Sequence, residues 1–400
     1  SLPAMLAAEA PAPVDARPRP DDDAVIVFTS GATGAPKGVA LSHACMGARV
    51  RLIQQMLGLR AADTIVETLL VYTILELCMG MTVAMPPMDL AKPATVDPAA
   101  VLDAVRAYRP QVLSASPVVW QRLVRAERPE RLDGVRMLLT TAAPIPVDLH
   151  RRLQAIVDPG VELFTPYGAT EAMPIAWIGT RAILDGTGAA TEAGAGTCVG
   201  PLAPEADVRI IAATERPIPT WDDALALPPG QLGEITVTTP GASDAYRAAD
   251  AANARAKICH GDRVRHRMGD VGYLDEQGRL WFCGRQAHLL HTAAGPLPNV
   301  PVEAVLARHA DVYRAAVVGV GAVGSERAVA VVELEAGRAW RPEHEAEILA
   351  LLDGTPWAGR VERALHHPSL PTDPRHNSKI RNDLVRAWVE ARVPAGALRA

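Results

Sequence analysis

The sequence predicts an α/β protein in which a large layered N-terminal domain is followed by a small mobile α+β domain. Three observations predict this organisation. Short apolar strands alternate with amphipathic helices between residues 25 and 165, and this alternation is typical of helices packed on a parallel sheet. From about residue 196 strands occur without long helices. The chain has 400 residues, which is more than one hydrophobic core usually organises, so a second domain is expected.

The first elements can be assigned from local composition. Residues 1–23 combine prolines, alanines and a run of aspartates, which predicts an extended linker. A strand over residues 25–28 ends in a loop of Gly, Ser and Thr, and an amphipathic helix follows. The predicted buried face of this helix contains Met46, Val50, Ile53 and Leu57. Its predicted solvent face contains Arg49, Arg51 and Gln54.

The later elements follow the same patterns. Asp97-Pro98 is a good start for a helix. Further helices are expected at 117–126 and 146–157, and strands at 111–115, 135–140, 161–165, 207–211 and 234–238, with a hairpin over 271–283. A helix near 302–308, strands near 314–320 and 328–335 and a last helix from Ile380 form a smaller unit. We therefore expect a large domain over residues 24–285 and a small one over 286–400.

Composition excludes several classes of protein. The 40 basic and 45 acidic residues give a net charge of -5, which argues against nucleic-acid binding through a general basic field. The five cysteines are not closely paired, which favours a cytoplasmic protein without a disulfide framework or zinc site. The apolar stretch 65–85 contains Glu67 and Glu76. Because a charge at mid-bilayer costs roughly 2.5–3.5 kcal/mol or more, we expect a buried segment and not a membrane span.

The strongest chemical signal is the loop over residues 29–38, which reads T-S-G-A-T-G-A-P-K-G. Glycines allow backbone N–H groups to converge on an anion, hydroxyls add donors, and Lys37 supplies positive charge. The loop is expected between a strand and a helix, a common place for bound phosphate. It is not the G-x-x-x-x-G-K-[ST] loop, because Gly38 follows Lys37.

This loop resembles the phosphate loop of the adenylate-forming superfamily, which includes acyl-CoA synthetases, adenylation domains of nonribosomal peptide synthesis and luciferases. Further motifs similar to those of the superfamily follow in the expected order. They are T-A-A-P at 141–144, Y-G-A-T-E at 167–171, G-E-I at 233–235, M-G-D-V-G at 268–272, G-R at 284–285 and H-N-S-K-I at 376–380.

The resemblance implies ATP and Mg²⁺ as cofactors and assigns roles to individual residues. Thr170 would donate to a phosphate oxygen, Glu171 would hold Mg²⁺, and Lys379 would bring positive charge to the reacting carboxylate and α-phosphate. The remaining nucleotide-binding residues that it implies are Thr29, Ser30, Gly31, Thr33, Gly34, Lys37, Ala142, Ala143, Pro144, Tyr167, Gly168, Asp270 and Arg285.

The use of lysine supports two of these assignments. Of the 40 basic residues only four are lysines, namely Lys37, Lys92, Lys257 and Lys379. A chain that otherwise uses arginine has lysine at both cationic motif positions, which indicates that a compact point charge is required there.

Longer strings, over residues 164–172, 272–285 and 373–380, resemble the β-lactone synthetases of olefin biosynthesis. Such enzymes adenylate a long-chain 2-alkyl-3-hydroxy acid, whose own 3-hydroxyl then displaces AMP. The segment after Gly284-Arg285 has Ala287 at the hinge position and lacks the K-x-x-G-type segment that lines the pantetheine tunnel of coenzyme A ligases. The resemblance therefore predicts an AMP-forming ligase that releases pyrophosphate, AMP and a β-lactone.

Two other functions stay open at this point. One is a fatty acyl ligase that passes the acyl group to coenzyme A or a carrier protein, and the other is a catalytically silent nucleotide-binding subunit. Only about 25 residues precede the phosphate loop, where the superfamily has a further subdomain. We therefore expect either a missing first subdomain or a protein partner that covers apolar surface.

Three further expectations concern the acyl site and its motion. Leu70, Val71, Tyr72 and Leu75 are candidates for a hydrocarbon slot, although core packing is the favoured interpretation. The sequence identifies no base for the 3-hydroxyl, and His288 and His291 are the nearest candidates after the hinge. Without ligand, the small domain is expected to hold Lys379 away from Thr170 and Glu171.

Overall fold

The computed structural model describes residues 17–29, 36–89, 92, 95–125, 130–141, 145–372 and 379–393. The first part of the chain forms eight strands and five helices within these ranges. In chain order they are β1 Asp23–Thr29, β2 Lys37–Ser42, α1 His43–Leu57, β3 Thr64–Glu67, α2 Leu70–Cys78, β4 Thr82–Ala84, α3 Pro98–Tyr108, β5 Val112–Ala115, α4 Pro117–Val124, β6 Met137–Thr140, α5 Val147–Gln154, β7 Glu162–Ala169 and β8 Ala172–Gly179.

The remaining elements are mainly strands. After helical turns between Thr180 and Glu192 they are β9 Thr197–Pro201, β10 Asp207–Ile211, β11 Gly233–Thr238, β12 Tyr246–Arg247, α6 Asp250–Ala256, β13 Lys257–His260, β14 Arg263–Leu274, β15 Arg279–Arg285, β16 Leu290–Thr292, β17 Gly295–Leu297, α7 Asn299–Leu306, β18 Val312–Val320, β19 Arg327–Leu334, α8 His344–Ala350, β20 Val361–His366 and α9 Asn382–Glu390. The predicted strands and helices are confirmed, with bounds shifted by a few residues.

A six-stranded sheet in the order β4-β3-β5-β6-β7-β8 is the centre of the large α/β layer. The first five strands are parallel, as the alternation of strands and helices predicts. The last strand is antiparallel to β7. Only two residues separate β7 from β8, and a turn that short can only reverse the chain. The predicted parallel sheet is therefore confirmed for five strands, and β8 adds an antiparallel edge strand that the sequence did not predict.

Helices cover both faces of this sheet. On one face α3, α4 and α5 bury a core around Trp120, which is 0% exposed and donates to the Leu139 carbonyl at 3.2 Å. On the other face α1 and α2 pack against Ile65, Val112 and related side chains. These apolar contacts supply the main stabilisation of the layer.

Helix α1 differs from its predicted orientation at one residue. Arg49, which the periodicity assigned to the solvent face, is only 2% exposed. Its guanidinium donates to the carbonyls of Gly241 at 2.9 Å and Thr170 at 2.8 Å. Those partners lie far away in the sequence, so an arginine that helical periodicity places outside is buried by its tertiary contacts.

The phosphate loop connects two strands. Strand β1 pairs antiparallel with β2, and Thr29 lies opposite Lys37. The expectation of a loop between a strand and a helix is therefore wrong, because residues 37–42 extend along β1 before α1 begins. This small sheet is completed by β12.

A second six-stranded sheet contains β9, β10, β11, β13, β14 and β15. Its long hairpin turns between Leu274 and Arg279, as predicted. Beneath it, buried Glu234 and Arg267 form an ion pair with Nη2 and Oε2 2.6 Å apart. The predicted G-E-I motif therefore has a structural role here, since its glutamate holds β11 against β14.

A three-stranded sheet of β18, β19 and β20 follows β15. Helices α7 and α8 contribute to one of its cores and α9 to the other. Contacts with the large layer include a hydrogen bond from Trp357 Nε1 to the Gly194 carbonyl at 2.7 Å and an Arg125–Glu335 ion pair at 2.8 Å. The smaller α+β unit is thus present, and the division at residue 285 stays a prediction.

The apolar stretch 65–85 is divided among β3, α2 and β4. Within the described ranges, no helix combines the length and the apolarity that crossing a bilayer needs. Leu75 is buried, whereas Leu70 and Val71 are 52% and 49% exposed. Core packing, the favoured interpretation, is therefore wrong for these two side chains, because α2 turns them outward.

Candidate active site

Four parallel strands bring polar residues to one edge of the central sheet. The carboxyl ends of β3, β5, β6 and β7 meet there, which is where open α/β sheets bind ligands. The Y-G-A-T-E motif forms the tight turn after β7. A Cβ atom on Gly168 would lie 2.9 Å from the Ala172 carbonyl oxygen, so this turn requires a glycine.

Asp270 is the centre of one half of the site. It lies opposite Arg285 across the β14–β15 hairpin, and Arg285 Nη1 is 3.0 Å from Asp270 Oδ1. The hydroxyl of Tyr167 donates to Asp270 Oδ2 at 2.7 Å. The structure therefore brings together three predicted residues, of which Tyr167 is more than 100 positions away from the other two in the chain.

The Asp270 carboxylate retains an unused acceptor. Burial raises the pKa of its carboxyl, and the charge of Arg285 and the Tyr167 hydrogen bond oppose that rise. Arg285 is close to Oδ1 but lacks hydrogen-bond geometry, so buried Oδ1 has no hydrogen-bond partner among the described residues. Buried polar atoms rarely lack a hydrogen-bond partner. A ribose hydroxyl would satisfy this oxygen, and the residue fits its predicted role.

Glu171 is the centre of the other half. Its Oε1 accepts a hydrogen bond from the Tyr246 hydroxyl at 2.9 Å, and its backbone carbonyl accepts from the Ser243 N–H at 2.7 Å. Burial and the charge of Glu171 raise the pKa of Tyr246, which stays a donor. A carboxylate fixed in this way offers hard oxygen ligands of the kind that Mg²⁺ prefers.

Two lysines flank the ring of Tyr246. The Nζ atoms of Lys37 and Lys257 lie 5.2 and 5.6 Å from the ring centroid, within the range of cation–π contacts. Lys257 also donates to the Ser243 carbonyl. Burial lowers the pKa of Lys257 to about 8, against the opposing charge of Glu171. Two cations thus lie beside Glu171, where a polyphosphate chain would need them.

Sequence reasoning missed Lys257, Tyr246 and Arg49. The scarcity of lysine was a usable signal for Lys257, because three of the four lysines lie in or beside this site. Arg49 left no such signal. Its guanidinium donates a hydrogen bond to the Thr170 carbonyl and thereby holds the Y-G-A-T-E turn in place.

The charge of Lys379 reaches Asp270, where it lowers the pKa of the carboxyl. The side chain itself is exposed. This interaction is with Asp270, and the expectation that a ligand-free form holds Lys379 away from Thr170 and Glu171 stays a prediction.

Several predicted residues lie outside the described ranges. Among the predicted nucleotide-binding residues they are Ser30, Gly31, Thr33, Gly34, Ala142, Ala143 and Pro144. Their neighbours Thr29, Lys37 and Thr141 are described and flank the same region. The assignments of these seven residues stay predictions.

Comparison with known proteins places this geometry in context. A family model described as AMP-binding enzyme matches residues 3–247. The chain is 40% identical over 375 residues to an olefin beta-lactone synthetase from Xanthomonas campestris, covering 92% of this chain and 67% of that relative. It is 29% identical over 353 residues to an indoleacetate–CoA ligase from Aromatoleum aromaticum, covering 86% and 62%.

The fold is also similar to that of a solved structure. O-succinylbenzoate coenzyme A synthetase from Bacillus subtilis, in complex with ATP and a magnesium ion, aligns with a TM-score of 0.75 at 21% sequence identity. The alignment covers 96% of this chain and 74% of that one. At this identity the similarity concerns the fold alone.

Proposed function

Because the chain belongs to the AMP-binding enzyme family, we propose that it activates a long-chain 2-alkyl-3-hydroxy acid with ATP and closes it to a β-lactone. The observation that carries this proposal is the 40% identity to an olefin beta-lactone synthetase over 92% of the chain. Identity to a coenzyme A ligase is 29% over a shorter stretch. The chain is therefore an AMP-forming ligase. Its sequence identity to a β-lactone synthetase is higher than its identity to a coenzyme A ligase.

Nucleotide binding follows from the two halves of the site. Asp270 accepts from the ribose hydroxyls through its unpartnered Oδ1, and Arg285 neutralises part of its charge. Glu171 holds Mg²⁺, which when bound offsets the charge of the triphosphate. Lys37 and Lys257 add positive charge on the same side, around Tyr246. In this proposal Thr170 and Lys379 would contact the α-phosphate.

Adenylation joins the substrate carboxylate to the α-phosphate and releases pyrophosphate. Negative charge concentrates on the α-phosphate oxygens as the bond forms, and Lys379 stabilises it as a compact cation. Thr170 donates a hydrogen bond to the same group. Arg49 keeps Thr170 in position through its backbone carbonyl. The smaller unit after Arg285 supplies Lys379 and, as part of this proposal, swings away once the adenylate has formed.

Ring closure is an intramolecular step. The 3-hydroxyl attacks the activated carbonyl of the same molecule, and AMP leaves. Well-oriented groups reach effective molarities of about 10⁵ M or more, which helps to offset the strain of a four-membered ring. An apolar site also protects the adenylate from hydrolysis.

Product analysis tests the proposal. The protein is incubated with a long-chain 2-alkyl-3-hydroxy acid, ATP and Mg²⁺, with and without coenzyme A, and products are identified by mass spectrometry. AMP, pyrophosphate and a β-lactone are expected in both mixtures, and the 3-deoxy analogue should stop at the acyl-adenylate. A thioester from the analogue, with no lactone from the hydroxy acid, would show an acyl-CoA ligase instead.

A further inference from the structure

A pair of buried carboxyl groups lies in the most apolar part of the large layer. Glu67 is the last residue of β3 and is 0% exposed, and Glu76 lies on the inward side of α2 and is 6% exposed. Burying a carboxylate without a neighbouring cation costs on the order of several kcal/mol. Neither residue has a cationic hydrogen-bond partner among the described residues.

The two carboxyl groups influence each other's ionisation. Glu67 Oε1 accepts from the backbone N–H groups of Thr68 at 2.7 Å and Leu69 at 2.6 Å. The Oε2 atoms of Glu67 and Glu76 find no donor among the described residues. Burial and the charge of Glu76 raise the pKa of Glu67 well above its ordinary range. Burial raises the pKa of Glu76 to about 7, so at neutral pH Glu67 is protonated and Glu76 is partly ionised.

The pair lies at the same sheet edge as the site described above. Glu67 is in register with Ser114 of β5, at the carboxyl ends of the strands. Burial raises the pKa of the Tyr72 phenol, and the charges of Glu67, Glu76 and Arg49 also influence it. Arg49 in turn binds the Thr170 carbonyl at 2.8 Å. One tyrosine and one arginine therefore separate the carboxyl pair from the adenylation turn.

Other polar groups at this edge also lack partners. The Thr141 hydroxyl lies beside the Tyr72 phenol but makes no well-formed hydrogen bond with any described residue. The Ser116 hydroxyl, 0% exposed, likewise has none within the described ranges. Unpartnered buried hydroxyls and carboxyls are rare in folded proteins. Their grouping around one edge indicates that a ligand with its own hydroxyl belongs there.

We propose that Glu76, paired with Glu67, is the base that accepts the proton of the substrate 3-hydroxyl during lactone closure. This inference rests on the proposed function. The 3-oxygen forms a bond to the acyl carbon, the bond from that carbon to the phosphate oxygen breaks, and AMP leaves with the electron pair. The hydroxyl proton passes to the Glu76 carboxylate and then to solvent.

The arrangement suits a base better than an acid or a structural contact. A general base works best when its pKa lies near the working pH, and burial raises the pKa of Glu76 to about 7, against the lowering effect of Glu67. Of the two histidine candidates, His288 is half-buried, and burial and the charge of Arg285 lower its pKa. His291 is exposed on β16.

A pH profile of single turnovers tests the base without any substitution. The charged or titratable groups that face the pair are Glu67 on β3, Tyr72 on α2 and Arg49 on α1. Closure of preformed acyl-adenylate should slow as pH falls below about 7 and Glu76 becomes protonated, whereas adenylation should not follow the same curve. A closure rate that stays flat between pH 6 and pH 8 would overturn the assignment.

Substitution separates this inference from the proposed function. Glu76→Gln should lower the rate of lactone closure by about 100-fold or more, with unchanged ATP–pyrophosphate exchange and with accumulation of acyl-adenylate. Glu76→Asp should restore part of the rate. Glu303→Gln is the matched control, because Glu303 is a half-buried carboxyl whose pKa is likewise raised by burial to about 7, but it lies in the smaller unit on α7.

The possible outcomes are distinct. Full closure rate in Glu76→Gln, or an equal loss in Glu303→Gln, would overturn the role of Glu76 while leaving lactone synthesis intact. A higher KM for the hydroxy acid with no accumulation of adenylate would also overturn it, since that pattern describes binding alone. Failure of the unaltered protein to form lactone from its adenylate would instead overturn the proposed function.

Discussion

Replacement of Asp270 by asparagine tests the nucleotide site most directly. The change keeps the shape of the side chain and removes its charge, while Arg285 at 3.0 Å and the Tyr167 hydroxyl at 2.7 Å stay in place. A hydrogen bond to a charged group contributes about 1.5–3 kcal/mol, and each 1.4 kcal/mol is a factor of about ten. Loss of the charge-assisted bond from Asp270 Oδ1 to ribose should therefore raise the Kd for ATP about 10- to 150-fold.

Isothermal titration calorimetry with ATP and Mg²⁺, in the absence of acid substrate, measures this change. Asp262→Asn is a suitable control, because Asp262 is an exposed aspartate in the turn before β14. Tyr167→Phe should have a smaller effect, since it frees Asp270 Oδ2 without changing the charge. An Asp270→Asn variant whose Kd stays within about twofold of the original protein would refute the ribose assignment.

Three further predictions follow from the same contacts. Glu171→Gln should raise the Mg²⁺ concentration required for half-maximal adenylation, and an unchanged Mg²⁺ titration of pyrophosphate release would contradict its role. Lys379→Ala should lower adenylation by about 100-fold or more while calorimetric ATP affinity stays nearly unchanged; equal losses in both would place Lys379 in ground-state binding. Arg49→Met leaves the carbonyls of Thr170 and Gly241 without donors, so urea unfolding should show a loss of about 2–6 kcal/mol, with lower adenylation. An unchanged free energy of unfolding would mean that the two hydrogen bonds of Arg49 contribute nothing to stability.

The sequence by itself determined the family and the order of the elements, and it predicted the residues of the nucleotide site. Short motifs such as Y-G-A-T-E and M-G-D-V-G carry this information because they place the required atoms within a few residues. Hydrophobic periodicity predicted the strands and helices for the same reason, since it depends on neighbours in the chain. The scarcity of lysine supports the prediction that Lys37 and Lys379 act as compact cations.

Only the tertiary structure decided which charged residues are buried and what they contact. Arg49 belongs to the polar face of α1 by periodicity, yet it is buried because carbonyls 121 and 192 positions away accept its hydrogen bonds. Glu67 and Glu76 argued in the sequence only against a membrane span, and the packing of α2 on β3 turns them into a buried pair of carboxyl groups. Likewise, Lys257 reaches the ring of Tyr246, the partner of Glu171, only because the chain folds β12 onto β2 and β13 onto β14. Local patterns cannot encode such contacts, because their energy depends on partners that distant parts of the chain supply.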